Sequence, residues 1–144
     1  MEKVVAYLKQ AQDILLLPHE KPDGDAIGSC LALQEGLRSL GKRVYIQLEE
    51  PSLSPRFSLV AEGLDPVPED FVPQTVVAMD CGEEKMLSSR KERYPHIHVV
   101  IDHHRSNTGF GEVCYIDPKA AATGEIVYDI LQKLGVELNP YMAK

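Results

Sequence analysis

The sequence predicts an α/β domain built on a mostly parallel sheet flanked by helices. Short apolar runs suited to buried strands alternate with longer stretches of helical period, the pattern of parallel strands joined by crossover helices. The chain has 144 residues, 44% of them hydrophobic, enough for one domain with a real core. It shows no internal repeat and no low-complexity tract.

Residues 2–12 mix charged and apolar positions as a short amphipathic helix, and 14–17 form an apolar run that suits a buried strand. Residues 25–40 carry apolar side chains at 26, 27, 30, 31, 33 and 37, a helical period that Gly41 ends. Residues 44–48 alternate as a strand. Residues 49–73, rich in proline, read as loop with at most one short helix. A buried strand follows at 76–79, a helix at 83–91, and strands at 97–101 and 112–116. The last element is a helix over 120–134, which Gly135 closes.

Composition removes several function classes. The net charge of −7 disfavours a broad basic face gripping long nucleic acid. It leaves room for a small phosphorylated substrate, because an acidic site becomes locally neutral or positive once it holds divalent cations. No apolar run approaches the ~18 residues of a membrane span. The N-terminus carries both charge signs and no small-residue cleavage site, so it does not read as a secretory signal. The cytoplasm is the expected location. Cys30, Cys81 and Cys114 are odd in number and far apart, with no C-x-x-C pair, and read as reduced thiols.

The chemistry-bearing residues cluster at strand ends. After 14–17 comes His19-Glu20-Lys21-Pro22-Asp23-Gly24-Asp25, after 76–79 comes Asp80-Cys81-Gly82, and after 97–101 comes Asp102-His103-His104. In open parallel sheets ligands bind beyond the carboxyl ends of the strands, so the three clusters are expected to converge there. Imidazole with carboxylate suits Mn, Fe, Zn or Co better than Ca. Asp23 and Asp25, two residues apart at a loop-to-helix junction, can diverge toward two ions, and Asp80 could bridge both. Two such ions clamp the attacking and leaving oxygens of a phosphoryl displacement.

Plainer readings exist for each part. Asp-Gly-Asp alone is usually a turn, and Asp80-Cys81-Gly82 alone is an ordinary strand-end turn. An EF-hand fails at its fifth and twelfth positions, here Ile27 and Gln34. His96 and His98 flank a strand start and read as structural or surface residues. Glu125 reads as support for a helix dipole, and Glu49–Glu50 as a solvated loop. What separates the three clusters from these readings is their joint occurrence, each after its own apolar strand.

The wording HEKPDGDAIGSCLAL, VVAMDCG, VIDHHRSN and YIDPKAAATGEIVYDIL resembles the DHH phosphoesterase superfamily, most closely its nanoRNase and 3′-phosphoadenosine 5′-phosphate phosphatase subgroup, over residues 10–135. The resemblance implies a metal-dependent phosphoesterase with two divalent ions, Mn²⁺ first among them. His19, Asp23 and Asp80 would hold one ion; Asp25, Asp80 and His103 would hold the other. His104 would face the substrate phosphate, Asp102 would orient the neighbouring histidine or loop, and Arg105 would be a further substrate contact. The expected partner is a short oligonucleotide or nucleoside bisphosphate; a homodimer is allowed, and neither long duplex nor membrane is expected. A cyclic-dinucleotide phosphodiesterase and a non-catalytic metal- or nucleotide-binding domain are the alternatives.

The resemblance also implies a further metal-binding aspartate beyond the double histidine and a second, C-terminal substrate-binding domain. Neither is evident in residues 1–144, which read as the N-terminal DHH domain of a longer protein, poorly active alone. Asp117 and Asp129 are the candidates for that carboxylate. Charge counting agrees, since two dications carry +4 against −3 from Asp23, Asp25 and Asp80.

Overall fold

A computed structural model describes residues 1–51, 55–57 and 61–137. Five parallel strands, β1 (Asp13–Pro18), β2 (Arg43–Ile46), β3 (Thr75–Met79), β4 (Val99–Asp102) and β5 (Val113–Ile116), form one sheet in the order β2-β1-β3-β4-β5. Four helices accompany it: α1 (Glu2–Gln10), α2 (Gly24–Ser39), the single turn α3 (Arg90–Arg93) and α4 (Thr123–Lys133). The α/β class read from the sequence is the observed one.

Side-chain alternation along the strands separates two cores. Ile14, Leu16, Val77, Met79, Val99 and Ile101 point to the face covered by α1, α2 and α4, where Leu33, Leu37, Ile126 and Ile130 meet them. Leu15, Leu17, Val76, Ala78 and Val100 point to the opposite face, against Phe71, Leu87 and Ile97. Strands covered on both faces read as continuous apolar runs, which is why 14–17 and 76–79 were recognisable. Gly41, at φ +84°, ends α2 where expected.

Some boundaries differ from expectation. The region 83–91 is not one helix: a 3-10 turn (Glu84–Leu87) ends at Ser88, whose positive φ of 55° breaks the spiral before α3. The start of α4 is Thr123 rather than 120, because Asp117 caps a separate turn by accepting the Lys119 N–H at 3.0 Å. Within 49–73 the described part holds two short 3-10 turns, Pro55–Phe57 and Ala61–Gly63; residues 52–54 and 58–60 lie outside the described residues.

The strand order creates a switch point. From β1 the chain passes through α2 to β2 on one side, then returns to β3 on the other side of β1. The crevice beyond the carboxyl ends of β1 and β3 is therefore where such a sheet binds ligands. His19 follows β1 directly and Asp80 follows β3 directly.

The cysteines differ in burial, and their reactivity should follow. Cys30 and Cys81 are buried, and burial pushes both thiols up, Cys81 to about 12. Cys114 is half-buried. A thiol-labelling time course on the folded protein should modify Cys114 at least roughly tenfold faster than the other two. Equal rates before unfolding would contradict this burial.

Candidate metal centre

The first cluster is shaped by a tight loop and a helix start. His19 donates through Nδ1 to the carbonyl of Glu20 at 2.7 Å; a carbonyl only accepts, so this nitrogen carries the proton. Nε2 is then left facing Asp23 Oδ1 and Asp80 Oδ2, 3.8 Å from each. Asp23 caps α2, its Oδ1 accepting the Ala26 N–H at 2.9 Å. Asp25, in the first turn, is held by α4: its Oδ2 accepts from Thr123 N at 3.0 Å and its Oδ1 from Gly124 N at 3.1 Å. Ser29 Oγ donates to the same Oδ1 at 3.2 Å.

Asp80 lies between the two halves. It is 2% exposed and adopts a left-handed backbone at φ +54°, which few non-glycine residues tolerate outside functional turns. That conformation turns the carboxylate across the strand ends. Oδ1 accepts from Thr123 Oγ1 at 2.8 Å and lies 3.5 Å from His103 Nε2. The same His103 nitrogen is 3.6 Å from Asp25 Oδ2. Burial pushes the Asp80 carboxyl up to about 6; the Thr123 hydroxyl opposes this, and the charges of Asp25 and Asp23 add to it.

The third cluster is a hydrogen-bonded chain. Asp102, fully buried at the end of β4, pairs with His104 Nδ1 at 2.6 Å and accepts from Asn107 Nδ2 at 2.8 Å. Asn107 also donates to the Cys81 carbonyl at 3.0 Å, tying the loop after β4 to the loop after β3. Burial draws the His104 imidazole down, but the bond to Asp102 and the charges of Asp102, Asp80 and Asp23 outweigh it, so its pKa is raised from the ordinary histidine value. Asp102 thus holds His104 and, through Asn107, the loop after β4. Arg105 is exposed, and no ion pair engages it among the described residues.

The separations at the centre fit cations rather than direct hydrogen bonds. The contacts of His19 and His103 with the three carboxylates run from 3.5 to 3.8 Å, too long for good hydrogen bonds. Two donors on one ion at about 2.1 Å, roughly 90–120° apart, lie about 3.0–3.6 Å from each other; the His103 separations fall within this range and the His19 separations, at 3.8 Å, just above it. His19, Asp23 and Asp80 form one such group, and Asp80 and His103 belong to a second that also includes His104; Asp25 is in neither and meets the centre through its contact with His103. The donor set of imidazole and carboxylate suits borderline divalent ions.

Of the other residues, some depart from their sequence reading and some keep it. Glu49 and Glu50 remain half-exposed but are not free: Glu49 accepts from Ser89 N and Oγ at 2.6 Å, and Glu50 accepts the Lys21 N–H at 2.9 Å, bracing the loop that carries His19. Asp117 and Asp129 line an open groove of about 710 Å³ between α2 and α4, which Asp25 also borders; neither is in a metal-type group. Glu125 accepts the Ala121 N–H at 2.7 Å at the start of α4. His96, His98 and Glu112 cluster at the far end of the sheet, but Val76 N–H donates to His98 Nδ1 at 3.0 Å. This bond places the proton of neutral His98 on Nε2 and leaves no nitrogen to coordinate.

Sequence reasoning missed Thr123, Arg90 and Asn107. Asn107 and Thr123 lie inside the quoted motifs, so their positions were visible without their contacts. Arg90 gave no signal. It is 4% exposed and donates to the carbonyls of Leu87 (3.1 Å), Gln47 (2.7 Å) and Pro18 (2.6 Å).

The pattern of the N-terminal domain of the DHH family matches residues 13–144. The chain belongs to the DHH family. Among its relatives, the bifunctional oligoribonuclease and PAP phosphatase NrnA of Thermus thermophilus is 36% identical over 145 residues, covering 99% of this chain and 44% of that protein. In structure this DHH domain resembles an exopolyphosphatase-related protein from Bacteroides fragilis, with a TM-score of 0.70, 23% identity, and coverage of 93% of this chain and 43% of that one. It also shares its fold with the exonuclease RecJ bound to manganese, at a TM-score of 0.55, 15% identity, and coverage of 94% and 38%. The chain spans less than half the length of each of these proteins. Among the described residues, no helix is long and apolar enough to cross a membrane.

Proposed function

We propose that this DHH domain carries the two-ion centre of a phosphoesterase acting on short oligonucleotides and 3′-phosphoadenosine 5′-phosphate. One observation supports the two-ion reading above the rest. The two oxygens of Asp80 face different partners, Oδ2 toward His19 and Oδ1 toward His103. Asp23 stands beside the first and Asp25 beside the second. A carboxylate shared in this way would bridge two ions, one held by His19, Asp23 and Asp80, the other by Asp25, Asp80 and His103. The donor types favour Mn²⁺ among the borderline cations. When bound, such ions supply Lewis acidity at the phosphoryl group and make a nearby water acidic enough to attack it.

The remaining residues have roles in this reading. His104, held by Asp102 through Nδ1, keeps Nε2 for the substrate. It would donate to a phosphoryl or leaving oxygen. Arg105 would add a charged contact to a phosphate, and the −7 net charge would disfavour long polyanions. The substrate class is carried over from the NrnA relative, which is bifunctional by name. The selecting walls would belong to the part of such relatives that this domain does not span.

The test is to assay the whole gene product with Mn²⁺ against dinucleotides, 3′-phosphoadenosine 5′-phosphate, pyrophosphate and a cyclic dinucleotide. The first two should be hydrolysed best. A large preference for pyrophosphate or the cyclic dinucleotide would remove the substrate assignment while leaving the two-ion reading intact. His104→Ala should lower kcat by roughly 10²–10⁴-fold while leaving Mn²⁺ affinity nearly unchanged. A parallel loss of metal would place His104 among the ligands instead.

A further inference from the structure

Thr123 stands where α4 meets both carboxylates of one half of the centre. Its helix has no side-chain cap of its own: Ala122 occupies the cap position, and its methyl side chain cannot accept a bond. The N–H groups of Thr123 and Gly124 would then lack partners, as the first amides of a helix do. Both are taken instead by Asp25, which belongs to α2. The close approach of the two helices makes this reach feasible: a Cβ at Gly36 of α2 would collide with Leu131 of α4. On its other side Thr123, wholly buried, donates its hydroxyl to Asp80 Oδ1. Among the described residues, Thr123 is the one hydrogen-bonded to both Asp25 and Asp80.

The contacts fall on one half only. Asp80 Oδ1 and Asp25 Oδ2, the oxygens Thr123 holds, are the two that lie against His103 Nε2. Asp80 Oδ2 and Asp23, which face His19, receive nothing from it. We propose that Thr123 is a positioning residue that sets the spacing of Asp25 and Asp80 and thereby tunes the His103 half of the centre more strongly than the His19 half. The proposal rests on the two-ion reading. The hydroxyl fixes the rotation of the Asp80 carboxylate, and the backbone amide fixes that of Asp25. Outer hydrogen bonds of this kind orient ligands and are commonly worth 10–100-fold in metal affinity.

The experiment is a Mn²⁺ titration of the full chain, with free Mn²⁺ followed by electron paramagnetic resonance and folding checked by circular dichroism. Wild type should show two binding classes. Thr123→Val removes the hydroxyl at nearly constant shape and should weaken one class by roughly 10–100-fold, leaving the other within about threefold. Thr123→Ser should restore it. Thr123→Ala is measured in parallel, since it removes the hydroxyl without placing a second methyl against Asp80, and the same selective loss is expected. In a His103→Ala background the valine substitution should have no further effect. Two wild-type classes that both survive Thr123→Val and Thr123→Ala unchanged would overturn the proposal alone. So would equal weakening of both classes that serine fails to rescue. A wild-type chain with a single class would overturn the two-ion reading and this proposal with it.

Discussion

Replacing Asp80 with alanine should eliminate high-affinity binding of both Mn²⁺ ions, measured by equilibrium dialysis with elemental analysis. Among the described residues, no other carboxylate offers an oxygen to His19 on one side and to His103 on the other. The loss should exceed the roughly 10–100-fold that removal of an outer partner costs, because a ligand shared by both halves disappears. Asp80→Asn gives the complementary result. The carboxyl titrates at about 6 in the folded chain, above its ordinary value of 3.8. The folded state therefore binds the proton more tightly than the unfolded state. Stability of the metal-free protein falls as pH rises from about 4 through about 6, and the penalty persists above that. Asparagine carries no such charge, so with chelator at pH 7 it should be more stable by about 1–3 kcal/mol and melt higher. Below about pH 4 the advantage should vanish. A lower melting point for Asp80→Asn at neutral pH without metal would contradict the burial argument.

Arg90→Ala should be the most destabilising single change outside the hydrophobic core. The side chain bonds three backbone carbonyls, those of Leu87, Gln47 and Pro18. Each buried acceptor left without a donor costs about 1–3 kcal/mol, so the sum is about 3 kcal/mol or more. For a chain of this size that corresponds to a drop in Tm of roughly 10 °C. Lysine should recover only part of it, because an ammonium cannot span three acceptors with the fork of a guanidinium. The change should also reach the centre. Pro18 precedes His19 directly, so releasing its carbonyl loosens the loop that aims the imidazole. Thermal denaturation with and without Mn²⁺ separates the two effects. A Tm within about 2 °C of wild type would mean that water replaces Arg90 without loss.

The sheet and the clusters could be read from the sequence because their signals are local. Strands buried on both faces leave continuous apolar runs at 14–17 and 76–79, and the polar clusters follow them without a gap. Ligand-type residues at the ends of parallel strands converge by topology alone, so His19, Asp80 and Asp102 could be placed together before any coordinate was known. The features that escaped depend on contacts distant in sequence. Thr123 looks like an ordinary helix start until α4 is seen to lie against Asp25, 98 positions away. Arg90 looks like one of several surface cations, yet a bond to Pro18 across 72 positions buries it. Ser88 broke the expected helix at 83–91 by adopting a positive φ, which serine has no local reason to favour. Glu49 and Glu50 read as solvated because acidic loop residues usually are; the serine and amide donors that hold them come from other loops.

The most direct test of the centre is anomalous diffraction at the manganese edge from crystals grown or soaked with Mn²⁺. Two peaks about 3.5–4 Å apart are expected, one on the Asp80 Oδ2 side beside His19 and Asp23, the other on the Oδ1 side beside His103 and Asp25. A single peak in the crevice, or peaks that leave Asp80 without a metal contact, would contradict the shared-carboxylate centre.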